Sequence, residues 1–114
     1  MILTEEVALK LAQMSYAFDH ANNWRDPEAL TWGRLSKVSE ECGEVIEAFI
    51  GYTGQNPRKG VTHSSDQVNK ELLDVAATAL MAYEHMTGNR SESLEAFFRH
   101  VNFLHIRAAP FMPK

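Results

Sequence analysis

Between Val75 and Tyr83 the chain reads VAATALMAY, a stretch without a charged residue. Wound at 3.6 residues per turn, that composition leaves almost no polar side to turn toward water. A helix apolar nearly all round is buried nearly all round, so this segment must lie at the centre of whatever the chain builds. At 114 residues the chain has room for one domain and one core. Few other elements are then left to cover such a helix, and self-association is expected.

Periodicity and capping signals divide the rest into helices, and no segment carries the alternation of a strand. A first helix is expected over about Thr4–Ala21, with Thr4 as N-cap, Glu5 and Glu6 at the positive end of its dipole, and Val7, Leu11, Met14 and Phe18 as its inward stripe. A second starts at Asp26-Pro27, a cap followed by a tolerated first-turn proline, and runs to about Ile50, where Gly51 ends it. Leu35, Val38, Cys42, Val45 and Phe49 are its expected stripe, which makes Cys42 a packing residue. GYTGQNPRKGVTHS, residues 51–64, reads as a loop. Ser65 caps a third helix over about Asp66–Thr87, stopped by Gly88, and Ser91 caps a fourth over about Glu92–Arg107 before Pro110 and Pro113. The fold class expected is all-α: one domain over residues 1–114, a four-to-five-helix bundle completed by oligomerisation as a homodimer or homotetramer.

Composition narrows the partners. A formal charge of −4 argues against duplex nucleic acid, which needs a broad basic face. The single cysteine excludes an internal disulfide, no apolar run is long enough to span a bilayer, and the acids of MILTEEVALK replace the basic start of a secretory leader. A cytoplasmic location is the expectation.

Two carboxylate pairs carry the chemistry. Glu41 and Glu44 stand three apart within EECGE, and Glu71 and Asp74 three apart within ELLD, so each pair shares one helix face. Glu71, Asp74 and Thr78 form the one polar strip on the third helix, while Glu40 and Glu47 turn toward water. Antiparallel packing of helices two and three brings the pairs face to face. Like charges that close destabilise one another unless some are protonated or a cation lies between them. Oxygen ligands without histidine or cysteine suit a hard cation, Mg²⁺ with Mn²⁺ as a substitute. Di-iron carboxylate bundles want Glu-x-x-His, which neither pair offers.

Glu41-x-x-Glu44, the 26 residues from 45 to 70, then Glu71-x-x-Asp74 resembles the signature of the MazG-like, all-α nucleoside triphosphate pyrophosphohydrolases. The resemblance covers helices two and three and the loop between them. It implies a helical dimer or tetramer in which Glu41, Glu44, Glu71 and Asp74 hold Mg²⁺ and a nucleoside triphosphate is cleaved to monophosphate and pyrophosphate. Phosphoryl-type hydrolysis needs this kind of charge neutralisation and water activation. Glu40 joins the catalytic candidates as a supporting group or as the base that orients the attacking water. Phosphoribosyl-ATP hydrolysis and a non-catalytic, nucleotide-binding oligomer are the alternatives.

The remaining candidates would hold the substrate. Arg58 and Lys59, between glycines whose amides can approach an anion, suit phosphate or merely keep a loop soluble. Trp24 stands where relatives that cleave dCTP carry a tryptophan near the base; it or Trp32 offers a stacking wall, although Trp32 reads better as core. His20 and Asn23 could meet base edges, and Asn102 and Arg99 on the last helix could reach back to the substrate. His63 reads as polar surface. Base specificity stays open.

Overall fold

The computed structural model describes residues 2–114, with side chains from residue 3. Its elements are α1 (Ile2–Ala21), α2 (Pro27–Thr53), α3 (Ser65–Thr87), α4 (Ser93–Ala108) and a closing 3-10 turn (Ala109–Phe111), with no strand among the described residues. The all-α expectation holds. No helix is long and apolar enough to cross a membrane.

The helix ends show which local signals decide. Asp26 caps α2 as expected, its carboxylate accepting from the Ala29 amide at 3.1 Å with Pro27 following. α2 does not stop at Gly51, however. It runs on to Thr53 and is ended by Gly54 at φ 66°, a left-handed position that glycine takes without strain. Gly51 serves close approach instead: a Cβ there would overlap the His63 ring, and its carbonyl accepts from the Thr62 amide at 2.9 Å. The cap of α3 is Ser64 rather than Ser65, because only Ser64 has a glutamine three residues on to return its bond. Gln67 N–H donates to Ser64 Oγ at 3.3 Å and Ser64 N–H to Gln67 Oε1 at 2.7 Å. Gly88, at φ 91°, stops α3 as expected. Thr4 lies inside α1 and caps nothing. Nor does Ser91 cap α4 with its side chain. The fully buried carboxylate of Glu84 accepts from the Ser91 amide at 2.9 Å and the Ser93 amide at 2.7 Å, placing negative charge where the α4 dipole is positive.

α2 and α3 form the central antiparallel pair. Thr31 reaches His85, Arg34 reaches the Met81 carbonyl, and Glu41 and Glu44 reach Glu71, so the register keeps a nearly constant residue sum along the pair. α1 lies along α3, and α4 packs on both α1 and α3.

Small residues make the interfaces within the chain. The buried apolar set is Ala8, Leu11, Ala12, Ala48 and Ala82, with Ser15 and Ser93 beside them. Of the stripe expected on α1 only Leu11 is buried; Val7, Met14 and Phe18 are exposed. On α2 the buried face runs through Glu41, Ala48 and Gly51, turned by about one residue from the expected stripe. Leu35, Phe49 and Cys42 are exposed, so Cys42 is not a core residue, and neither is Trp32 at 66 % exposure. α3, apolar nearly all round, is only partly covered, with Leu72 and Leu73 exposed.

The shape follows. Extents of 49 × 46 × 26 Å and a radius of gyration of 17.3 Å describe a slab, against about 13 Å for a compact chain of this length. The accessible surface is 8557 Å², roughly 2,200 Å² more than the roughly 6,300 Å² of a compact monomer of this mass.

Candidate metal centre

The antiparallel register sets Glu41 and Glu44 of α2 across from Glu71 of α3. One carboxylate oxygen from each lies within 4.8 Å of the others. Glu41 is 9 % exposed and the other two are half-buried. Glu71 Oε2 is buried and has no hydrogen-bond partner. Ionised carboxylates at that spacing repel one another. A buried carboxylate oxygen without a donor adds the cost of lost hydration.

Two lysines stand on the flanks. Lys37 Nζ lies 3.3 Å from Glu40 Oε1 and 3.5 Å from Glu41 Oε1, and Lys70 Nζ 3.2 Å from Asp74 Oδ2. Each ammonium is held above its ordinary pKa, Lys37 chiefly by its hydrogen bond to Glu40 and Lys70 chiefly by its bond to Asp74, with the charges of Glu71 and Glu41 adding to the latter. Both are exposed at one end of a flexible stem, and neither reaches Glu71 Oε2.

Three of the four expected ligands therefore converge, and Asp74 does not join them. It is 43 % exposed and engaged by Lys70, four residues before it on the same helix. Glu40 lies on the water side of α2, engaged by Lys37, and Glu47 is exposed. An all-oxygen set with one unpartnered oxygen fits a hard divalent ion.

Beside Glu41 a cleft of about 470 Å³ opens between the end of α1, the first half of α2 and α3. Phe18, Leu30 and Met81 give it apolar walls, and Arg25, Arg34 and Lys37 give it positive charge. Arg34 is fixed. Its Nη1 donates to Asp19 Oδ1 at 2.6 Å and to the Ser15 carbonyl at 3.2 Å, its Nη2 to Ser15 Oγ at 3.0 Å and to the Met81 carbonyl at 3.1 Å. Asp19 also accepts from Asn89 Nδ2 at 3.0 Å and pairs with His85 Nδ1 at 2.8 Å, while His85 Nε2 meets Thr31 Oγ1 at 2.8 Å. Burial pushes the Asp19 pKa up, but the bonds from Asn89 and His85 and the charges of His85 and Arg34 outweigh it and hold the carboxyl below its ordinary value.

The expected substrate contacts fare less well. Arg58 and Lys59 are exposed, and the loop amides are already spent: Lys59 and Gly60 N–H donate to the Asn56 carbonyl at 3.1 and 2.9 Å, and Arg58 N–H to Asn56 Oδ1 at 3.1 Å. Those three amides are not free to meet an anion. Trp24 is 71 % exposed and lies under the Arg25 guanidinium at 4.2 Å, so it orients Arg25 instead of walling the cleft. His20 stacks on Tyr16 with ring centroids 5.9 Å apart, and Asn23 is exposed. Asn102 and Arg99 sit exposed on α4, Arg99 paired with Glu95 at 2.8 Å. Neither lines the cleft. Its own residues carried a legible signal: Lys37 and Arg34 lie four and seven before Glu41, on the same helix face, and Thr78 and Met81 continue the face of Glu71. No protein-family model, curated protein or solved structure matches the chain.

Proposed function

We propose that this chain is a Mg²⁺-dependent nucleoside triphosphate pyrophosphohydrolase of the MazG-like kind, releasing a monophosphate and pyrophosphate in the cleaning of nucleotide pools, and working as a homo-oligomer. The observation that carries the reading is the convergence of Glu41, Glu44 and Glu71 from two helices, with Glu71 Oε2 buried and unpartnered. These three residues would hold the ion, and Asp74 would join them on leaving Lys70. Mn²⁺ is an acceptable substitute for an oxygen-only set. When bound, such an ion supplies neutralisation of the polyphosphate charge and a lower barrier to attack by water.

The chain's own groups divide the remaining work. Lys37 lies between the glutamates and the cleft and can meet a phosphate oxygen once Glu41 is otherwise neutralised. Arg25, ordered over Trp24, adds a second cation at the cleft. Glu40, exposed beside Glu41, would take a proton from water at the rim on leaving Lys37.

The oligomer is supported by what the single chain leaves uncovered. Trp32, Leu35, Ile46 and Phe49 line one exposed apolar stripe of α2, and Leu72 and Leu73 another of α3. The surface excess of roughly 2,200 Å² per chain is on the scale of an obligate interface between subunits.

The test is a panel of ribo- and deoxynucleoside triphosphates and phosphoribosyl-ATP with Mg²⁺, separating monophosphate plus pyrophosphate from diphosphate plus phosphate. Pyrophosphate release from a triphosphate is the expected result. Release from phosphoribosyl-ATP alone would move the assignment to that substrate, and tight Mg²⁺-dependent binding without product would make the chain a nucleotide-binding oligomer.

A further inference from the structure

Gly33 is the odd residue of the cleft. It lies within the first half of α2, has no left-handed backbone conformation that would require glycine, and weakens its helix relative to alanine. Close packing does not require it either, since a Cβ built there meets no atom within 4 Å. Gly51, on the same helix, is the contrast: there a Cβ would collide with His63. Gly43 has the same open surroundings, and what sets Gly33 apart from it is that its open space faces the cleft that it lines.

The surfaces around that opening are flat or deformable. The Arg34 guanidinium is immobilised by four hydrogen bonds and lies 5.6 Å from the Phe18 ring centroid. A fixed planar cation, an aromatic ring and the soft thioether of Met81 suit a planar heteroaromatic ligand. Lys37 leads from this slot to Glu41. We propose that Gly33 is the specificity-determining residue of the site: the space left by its missing side chain receives the base of the nucleotide, edge-on to α2, with the phosphates running past Lys37 toward the glutamates. This rests on the hydrolase reading for the phosphates, while the ring slot is testable without turnover.

The probes are the 2′-deoxynucleoside monophosphates, titrated by calorimetry into the wild-type chain, Gly33→Ala and Gly33→Leu, with melting temperature and Mn²⁺ binding measured on each. Leucine is expected to weaken the best-bound monophosphate by at least about tenfold and alanine by less, with Mn²⁺ binding kept and no lower melting temperature. Equal affinity in the leucine variant, or no monophosphate binding by the wild type at millimolar concentration, overturns the proposal. Should leucine prevent folding, the alanine variant decides by the same measure, unchanged affinity counting against. Pyrophosphate release from triphosphates separates the two readings. Binding that is sensitive to position 33 without hydrolysis keeps the slot and removes the enzyme; hydrolysis indifferent to position 33 does the reverse.

Discussion

Two groups of ionisable side chains lie between the same helices, with Arg34 and Glu41 about 10 Å apart along α2, and they are built to opposite ends. Around Asp19 the chain supplies its own partners: Arg34, His85 and Asn89 bond one carboxylate, and Thr31 takes the far side of the imidazole. Around Glu71 acids meet acids, the lysines stand off to the flanks, and a buried oxygen has no donor. The first cluster is complete without a ligand. The second leaves Glu71 Oε2 without a partner. A helix pair can thus carry a satisfied polar network and an unsatisfied acidic cluster within a few turns, and partner satisfaction, not charge content, tells them apart.

The sharpest way to break that contrast is Glu71→Gln. Turnover should fall by about a thousandfold or more, while the melting temperature without Mg²⁺ stays level or rises, because one repulsive charge is gone. Retained turnover would remove Glu71 from the centre. At the other cluster the opposite pattern is expected. Arg34→Met leaves Asp19 without its guanidinium partner and should cost about 2–4 kcal/mol of stability, read from a urea midpoint. A change no larger than that of an exposed substitution would mean that this network pins nothing.

Adding Mg²⁺ should discriminate between the clusters without mutation. At a hundred times its dissociation constant an ion bound only by the folded chain adds about 2.7 kcal/mol, seen as an upward melting shift that Glu71→Gln abolishes. Acid acts on the pin instead. Asp19 titrates below its ordinary value, so its contribution is fully present above the unfolded carboxylate pKa of about 3.9 and is lost as pH falls through the lower folded value. The stability difference between wild type and Asp19→Asn should not shrink between neutrality and about pH 5 and should shrink below about pH 4. A difference that shrinks already near neutral pH would point to another group.

The helices and the meeting of Glu41, Glu44 and Glu71 are readable in the sequence because they depend on local spacing. Asp26-Pro27, Gly88 and the i, i+3 carboxylates each state their geometry within a few residues. The stripes were misread for one physical reason: hydrophobic periodicity reports which face is apolar, not which partner covers it. Met14, Leu35 and Phe49 are left exposed on their own chain, whose helices meet through alanine, serine and glycine, which allow close approach. Long-range polar pairing was equally silent, since nothing near Asp19 announces His85 or Asn89, 66 and 70 residues away. The cap on α4 was hidden likewise, supplied by Glu84 from the preceding helix and not by Ser91.

The smallest expected effect concerns Asp74, the one expected ligand that stands outside the cluster of three glutamates. Lys70 holds it at 3.2 Å, and the side chains of both are substantially exposed, so the pair contributes little to folding. Its consequence is competition. An ammonium on Asp74 and near Glu71 repels a divalent ion and occupies an oxygen that could turn inward. Lys70→Met should therefore leave the melting temperature unchanged without Mg²⁺ and tighten Mg²⁺ binding by about two- to fivefold, the scale of one exposed ion pair. Lys70→Met combined with Asp74→Asn should lose part of that gain if Asp74 becomes a ligand, and keep all of it if the lysine acts by its charge alone. Calorimetric titration of the two variants distinguishes a centre of four carboxylates from one of three.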